Sequence, residues 1–231
     1  DNLGNEIWIK QLGGTSLSGV QERLFMSALD EVNNAIYSTG TFSGTLTLDG
    51  ISVSSFSSDC FLAKLDLNGI CQWIIKAGSP INDDLNSSII IDGQNNIYWM
   101  GNLLAPGSLD TTLLQKGTYL AKVSSSGNVQ WARDEFKNID AFLKKHNNKL
   151  YFYGTTKNDT CNVDTALIIK NTFVDAIVGE LDLNGNLHWV NVYQCSTMGY
   201  CFSLDIENSG DIYMCGFFED TLQVSNQQLI S

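Results

Sequence analysis

Basic residues, histidine and proline are scarce in this chain of 231 residues. It has 13 Lys and Arg against 25 Asp and Glu, a net charge of −12, and only 2 His and 2 Pro. Nucleic-acid backbones and anionic membrane surfaces both attract clustered cations, so this balance opposes both kinds of partner. No apolar run approaches the ~18 residues that a membrane-spanning helix needs. The 43% hydrophobic residues and 20 Gly are typical of a packed domain with many turns.

Catalytic signatures are equally scarce. Nucleophilic catalysis needs a base beside Ser or Cys, and the two histidines, His146 and His188, lie in a predicted turn and on a predicted outer strand. There is no G-x-S-x-G elbow. Adjacent carboxylates occur, but adjacency in sequence does not set the separation that a glycosidase needs. We therefore predict a protein that is not an enzyme and uses no cofactor or metal. A propeller hydrolase or lyase is the least favoured alternative.

The six cysteines lack the C-x-x-C spacing of zinc and redox sites. Cys201 and Cys215 flank a predicted turn at 207–210, which places them nearly opposite each other on neighbouring strands. A disulfide between these two, or one that involves Cys195, is expected if the protein is extracellular. Buried free thiols are the alternative.

A motif that ends in Trp occurs four times. The copies are DNLGNEIW, LDLNGICQW, VSSSGNVQW and LDLNGNLHW, and they end at Trp8, Trp73, Trp131 and Trp189. The intervals between these Trp residues are 65, 58 and 58 residues. A long and nearly constant period is typical of a repeat architecture.

A second motif, apolar-Tyr-x-x-Gly, runs in step with the first. Each copy follows Asn-, Asp- or Gly-rich turn residues, which are typical of hairpins. The copies AIYSTG, NIYWMG, KLYFYG and DIYMCG end at Gly40, Gly101, Gly154 and Gly216. The segment 85–135 then divides into four antiparallel strands. The sequence therefore predicts an all-β fold, a β-propeller of four-stranded antiparallel blades.

Both motifs have architectural roles in this prediction. The Trp residues belong to the fourth, outer strand of a blade, where a large ring can pack between adjacent blades. The strand glycines let backbones approach closely near the central axis.

The turn inside the Trp motif has its own chemistry. Asp66 and Asp182 can accept hydrogen bonds from backbone N–H groups of their own turns, while Gly69, Gly127 and Gly185 can adopt positive φ. A calcium loop is the alternative at these turns. However, the bidentate Glu of an EF-hand is missing, and one copy has serines in place of the acidic residues.

Together the motifs resemble the SBBP-type β-propeller repeat of large secreted proteins of Bacteroidetes-type bacteria. The family pattern is I-Y-x-x-G-x-F-x-G followed by D-x-F-x-A-K-L-D-x-x-G-x-x-x-W, which residues 36–73 match closely. Later copies depart from it, for example with Glu180 in place of Lys. The D-x-x-G-x-x-x-W element is also similar to the tryptophan-docking repeats of quinoprotein-like propellers. The resemblance covers essentially the whole chain and implies secretion, often by the type IX route, with a location outside the cell or at its surface.

The phase of the repeats predicts a single propeller region. It spans 1–231, with repeats at about 9–73, 74–131 and 132–189 and a partial repeat at 190–231. This gives three complete blades and partial blades at both ends. Because free sheet edges favour association, we expect the chain to be part of a larger propeller. Its partners at the open edges are then the remainder of its own propeller or a second copy. Closure into a small four-fold ring is a further alternative.

Binding is the expected function, since loops on a rigid scaffold often carry function. In a propeller, the loops that join a fourth strand to the next first strand meet on one rim. The candidate binding residues in these loops are Asp83, Asp84, Phe136, Met198 and Tyr200. For the last three, packing between blades is the alternative role. We predict an extracellular scaffold or adhesion module that binds a protein or polysaccharide at the cell surface. A structural spacer of a large surface protein is the alternative.

Three segments between the motifs differ in length and sequence. They span 43–58, 103–117 and 155–175. Such variation is expected of tolerated insertions or of a surface diversified for partners.

Overall fold

A computed structural model describes residues 3–12, 15, 22–81, 84–157, 160–169, 174–224 and 227–230. Every regular element within these ranges is a β-strand, and the strands pair antiparallel. The all-β class predicted from the sequence is therefore confirmed. Nothing among the described residues forms a helix long and apolar enough to cross a membrane.

By its contacts the chain divides into two compact units, whereas the repeat spacing predicts one continuous region. Unit 1 comprises 1–116 and 121–132, and unit 2 comprises 117–120 and 133–231. The division passes through two strands of the second repeat.

The first repeat is a meander whose consecutive strands pair side by side. Its four strands are β1 (Arg23–Asp30), β2 (Ala35–Leu48), β3 (Ile51–Asp66) and β4 (Cys71–Gly78). Two short strands of the next repeat extend this sheet, so that it has six strands in the order β1-β2-β3-β4-β7-β8.

The second repeat forms a four-stranded sheet in the order β10-β9-β6-β5. Its strands are β5 (Asp84–Ile91), β6 (Ile97–Leu103), β9 (Gly117–Val123) and β10 (Val129–Phe136). Between β6 and β9 lie the two short strands of the first sheet, β7 (Gly107–Leu109) and β8 (Thr112–Leu114). Strand β6 is buried at every position and apolar at all but Asn102, as expected of a strand covered on both faces.

The third repeat has the predicted four strands in the order β11-β12-β15-β16. They are β11 (Ile139–His146), β12 (Lys149–Thr156), β15 (Ala176–Asp182) and β16 (Leu187–Tyr193). A separate hairpin, β13 (Thr160–Val163) and β14 (Ala166–Ile169), lies between the second and third strands.

The fourth repeat contributes two hairpins. Strands β17 (Met198–Ile206) and β18 (Ile212–Glu219) form one two-stranded sheet, and β19 (Thr221–Val224) and β20 (Gln227–Ile230) form another. No closed sheet occurs among the strands that the structure describes.

The three variable segments form hairpins, and a fourth hairpin follows β18. Three of the four hairpins bond to residues at or just after the fourth strand of the preceding repeat. The contacts are Ala77 with Leu109, Lys137 with Asn162, and Cys195 with Leu222. In the first repeat the Thr15 N–H donates to the Thr45 carbonyl at 3.0 Å. We call these four hairpins the hairpin latches. Those of the second, third and fourth repeats join their repeat to the one before it.

Three of the hairpins turn at an Asp with positive φ. The φ angles are 49° at Asp49, 48° at Asp110 and 53° at Asp164. Asp is one of the few residues besides Gly that tolerates this backbone region, because its short side chain can hydrogen-bond locally. The Asp49 and Asp164 carboxylates also accept the backbone N–H of Cys71 and Leu187, the first residues of the fourth strands.

Candidate functional site

One aromatic pair recurs in three repeats. The Tyr of each Tyr-x-x-Gly motif packs against the Trp of its own repeat in a tilted arrangement, as aromatic pairs prefer. The ring centroids lie 5.9 Å apart for Tyr37 and Trp73, 6.2 Å apart for Tyr98 and Trp131, and 6.4 Å apart for Tyr151 and Trp189. The two sequence motifs are thus the two halves of one contact.

Two of the Trp residues also contact the turn of the following repeat. The Trp8 indole N–H donates to the Leu67 carbonyl at 2.8 Å, and the Trp73 indole N–H donates to Ser125 at 3.1 Å. A Cβ added to Gly69 or Gly127 would lie 3.1 or 3.0 Å from the indole ring. A side chain at either glycine would therefore crowd the ring, and both contacts hold adjacent repeats together.

The turn of the Trp motif is an Asx-turn. The Asp66 carboxylate accepts the N–H groups of Asn68 and Ile70 at 2.8 and 2.9 Å. Asp182 does the same in its own turn, and it also accepts the Asn186 side-chain amide at 2.8 Å. Gly185 has φ +80° there. These carboxylates are committed to backbone donors. Among the described residues there is no group of three or more His, Cys, Asp or Glu that could hold a metal ion.

The strand glycines mark a close approach of the first two strands. A Cβ at Gly40, Gly154 or Gly216 would overlap a backbone carbonyl of the neighbouring first strand. Gly101 holds the equivalent position in the buried strand β6.

Four of the five predicted binding residues lie in the described part of the chain. Asp83 lies outside the described residues, and Asp84 begins β5. Phe136 ends β10 in the core, 1% exposed, with its ring edge-on to Phe152 at 5.8 Å. That environment is one of packing. Met198 and Tyr200 lie two residues apart near the start of β17, and both are half-buried.

Tyr200 belongs to an aromatic stack that the sequence analysis did not find. Its ring lies 5.9 Å from Phe202 and 5.7 Å from Phe217, and the three rings are within 15° of parallel. Phe202 shares this face because residues two apart in a strand point to the same side, and the strand has a β-bulge between Cys201 and Ser203. Phe202 is 62% exposed and Phe217 is 43% exposed.

The six cysteines are free thiols in the structure. Cys201 lies opposite Gly216 and Cys215 lies opposite Ser203, so the two cysteines are on adjacent strands but are not register partners. Cys201 is buried and Cys215 is exposed. Burial raises the pKa of Cys201 to about 11. The predicted Cys201–Cys215 disulfide stays a prediction.

A cleft of about 440 Å³ in unit 1 is lined by two of the hairpin latches. Phe56 and Leu113 line it and are 101% and 84% exposed. The cleft also contains the ion pair of Asp59 and Lys76, with Oδ2 and Nζ 2.6 Å apart. Asp59 is buried, whereas the Lys76 side chain is 40% exposed. The remaining lining residues are mostly small or polar, among them Ser55, Ser79, Ser108 and Gln115.

Phe56 and Leu113, on the two sides of this cleft, belong to segments whose length and sequence vary between repeats, 43–58 and 103–117. The individual residues Phe56 and Leu113 were missed, because no local pattern shows that two distant hairpins line the same cleft. An exposed aromatic ring, an exposed aliphatic side chain, hydroxyls and a charged pair provide the chemistry of a binding surface. The single buried carboxylate and one Lys do not form an acid–base pair of the glycosidase type.

No protein-family model and no curated protein matches this chain.

Proposed function

We propose that the chain is a section of a β-propeller built from SBBP-like repeats. Three observations support this architecture: the repeated Tyr–Trp pair, the contact of Trp8 and Trp73 with the following turn, and the hairpin latches that join the second, third and fourth repeats to the one before. Propeller blades are four-stranded antiparallel sheets that contact their neighbours in this sequential manner.

The function that we propose for this scaffold is non-enzymatic binding, as an extracellular scaffold or adhesion module for a protein or glycan. The cleft between the hairpins that carry Phe56 and Leu113 supports it most. Single exposed apolar residues are normal on protein surfaces, but here two large ones line one cleft beside a charged pair. The extracellular location rests on the family resemblance.

An array of neutral and acidic oligosaccharides, together with immobilised collagen, fibronectin and laminin, tests this function. We expect saturable binding of the full chain to at least one of these probes. Phe56→Ala should weaken that binding at least tenfold, because the exposed ring contributes apolar contact. Phe56→Ala should leave the stability of the chain unchanged, because the ring is fully exposed.

A matched control is Phe202→Ala, which removes an exposed Phe from unit 2 and should not change the binding. If no probe binds, or if Phe56→Ala and Phe202→Ala bind equally well, the cleft is not the binding site. A structural spacer then becomes the better account.

A further inference from the structure

Strand β18 differs from its counterparts in the other repeats by its exposure. The strands β2, β6 and β12 carry the same Tyr-x-x-Gly motif and are almost wholly buried. In β18 six of eight residues are exposed, although its sequence IYMCGFFE is just as apolar. Tyr213 is 61% exposed, whereas its equivalents Tyr37 and Tyr151 are 0% and 3% exposed.

The reason for the difference is a neighbouring strand. Strand β2 has β3 on its outer edge, and β12 has β15. In the part of the chain that the structure describes, β18 pairs only with β17. Its outer edge therefore presents backbone hydrogen-bonding groups and apolar side chains of the kind that its counterparts bury.

The register of the complete repeats predicts what fits on this edge. Gly40 lies opposite Phe61, and Gly154 lies opposite Ile177. Both partners are large apolar residues with at most 1% of their surface exposed. In the fourth repeat Gly216 has the position of these glycines, so the residue opposite Gly216 should also be large and apolar.

A cavity is present at that point. It has a volume of about 330 Å³ and lies beside β18, β19 and the end of the third repeat. Its lining is mainly apolar and includes Met214, Gly216, Phe218, Leu222 and Val224. Phe218 corresponds in the motif to Phe42, which holds the Phe61 ring edge-on at 6.2 Å. The cavity therefore has the chemistry of the sites that hold Phe61 and Ile177.

We propose that the outer edge of β18, with this cavity, is an acceptor site for one further β-strand. Its occupant is an extended segment with the third-strand pattern of the repeats, as in FLAKLD and IVGELD, with its large apolar residue inserted into the cavity opposite Gly216. β-strand addition gives affinity through main-chain hydrogen bonds, and the pocket for a side chain gives specificity. This inference rests on the propeller architecture proposed above and is independent of the cleft at Phe56.

A synthetic peptide of residues 175–190 tests the site, because it contains the third strand, the turn and the first four residues of the fourth strand of repeat three, and no cysteine. We expect a fluorescent form of it to bind the full chain saturably, with one peptide per chain. A peptide with Ile177→Asp should bind at least tenfold more weakly, since the charge would enter an apolar cavity. The variant Met214→Asp of the chain should show a similar loss, whereas Phe56→Asp, which places a charge in unit 1, should not.

Disulfide trapping tests the register on the unchanged protein. Tyr153 lies opposite Val178, and Cys215 has the position of Tyr153, so a peptide with Val178→Cys should bring its thiol opposite Cys215. Cross-strand partners are close enough for a disulfide. With oxidised glutathione as the oxidant, we expect at least fivefold more cross-linked product from this peptide than from one with Ile177→Cys. Cys215→Ser should abolish the product.

Two results would overturn the proposal. One is the absence of saturable peptide binding, or equal cross-linking by the two cysteine peptides. The other is dimerisation of the chain without peptide, with Cys215 of two copies joined, which would assign the edge to a second copy. Neither result bears on the Phe56 experiment, so the two proposals fail separately.

Discussion

The ring of Trp73 lies directly over Gly127 in the turn of the following repeat. Its indole N–H also donates a hydrogen bond to Ser125 in the same turn, at 3.1 Å. The turn glycine has φ +87°, and a Cβ there would lie 3.0 Å from the ring. This position therefore requires glycine for two reasons, its backbone conformation and the ring above it.

Three glycine variants separate these two requirements. Gly127 has both the positive φ and the ring contact, so we expect Gly127→Ala to lower the free energy of unfolding by about 1–3 kcal/mol. Gly210 has a positive φ but no atom near its Cα face, so Gly210→Ala should lower the free energy of unfolding by about 1 kcal/mol. Gly93→Ala has neither feature and should stay within about 0.5 kcal/mol of the wild type. Urea unfolding followed by Trp fluorescence measures all three, and equal values for Gly127→Ala and Gly210→Ala would show that the ring contact contributes nothing.

Glu180 predicts a pH dependence of stability. Burial opposes its ionisation, but hydrogen bonds from Lys149, His188 and Tyr151 outweigh this effect and lower the pKa of Glu180 to about 2, from 4.5. A carboxylate with a lowered pKa stabilises the fold above its unfolded pKa, and this stability is lost as the pH falls toward the folded pKa. We expect Glu180→Gln to cost roughly 1–2 kcal/mol at pH 7, because the half-exposed partners are screened by solvent.

This difference between wild type and Glu180→Gln should shrink between pH 4.5 and about 2. Urea unfolding at a series of pH values measures it, with the exposed Glu31→Gln as the control. A cost that is the same at pH 7 and pH 3 would contradict the assigned ion pairs.

Repeat three has a Glu where repeat one has a Lys, and a Lys where repeat one has Ala35, and a double variant tests this difference. Lys64 lies over the Tyr37 ring at 5.8 Å, whereas Glu180 occupies the same position beside Tyr151 and pairs with Lys149 at 2.8 Å. Glu180→Lys alone places two cations together, and we expect a loss of about 2–3 kcal/mol. Adding Lys149→Ala restores the arrangement of repeat one and should recover about half of this loss. Additive effects in the double-mutant cycle would argue against the equivalence of the two sites.

The six thiols should differ sharply in reactivity. Cys215 is exposed, and the other five are buried. Burial raises the pKa of Cys201 to about 11, which keeps it protonated at pH 8, and the protonated thiol is a poor nucleophile. We expect iodoacetamide to add one group to the reduced native chain and none to Cys215→Ser, as measured by intact mass. Peptide mapping of native-source protein without reductant tests the predicted Cys201–Cys215 disulfide in the same experiment.

The strands that carry the two motifs could be predicted from the sequence, because their signals are local. Tyr-x-x-Gly follows turn residues in every copy, and Asp66 and Asp182 form the turns that their residue types favour. The hairpin latches could not be predicted, since the pairing of Ala77 with Leu109 joins different repeats. One local signal was available, namely the apolar-Asp pair at the tip of three hairpins, such as Leu48 and Asp49.

The candidate site was predicted less well than the fold, and two residues show why. Phe136 was placed in a loop, but β10 continues as far as this residue and buries it. Phe202 was not noticed, because no local pattern in β17 shows that Phe217 of the paired strand stacks with both Tyr200 and Phe202. Strand ends and bulges depend on tertiary pairing, which a period-two pattern does not encode.

The hairpin latches also bear on how such a chain could have grown. A boundary drawn at Trp73 divides β4, so that Gly78 and its partner Ser108 fall in the second repeat although both belong to the first sheet. The residues of one sequence repeat, counted from Trp to Trp, and the residues of one sheet therefore cover different ranges of the chain. The Trp-to-Trp interval of 58 residues is nevertheless the same for the second and third repeats. Unequal crossover within the gene that adds or removes one whole period would therefore keep the spacing on which the contacts between neighbouring repeats depend.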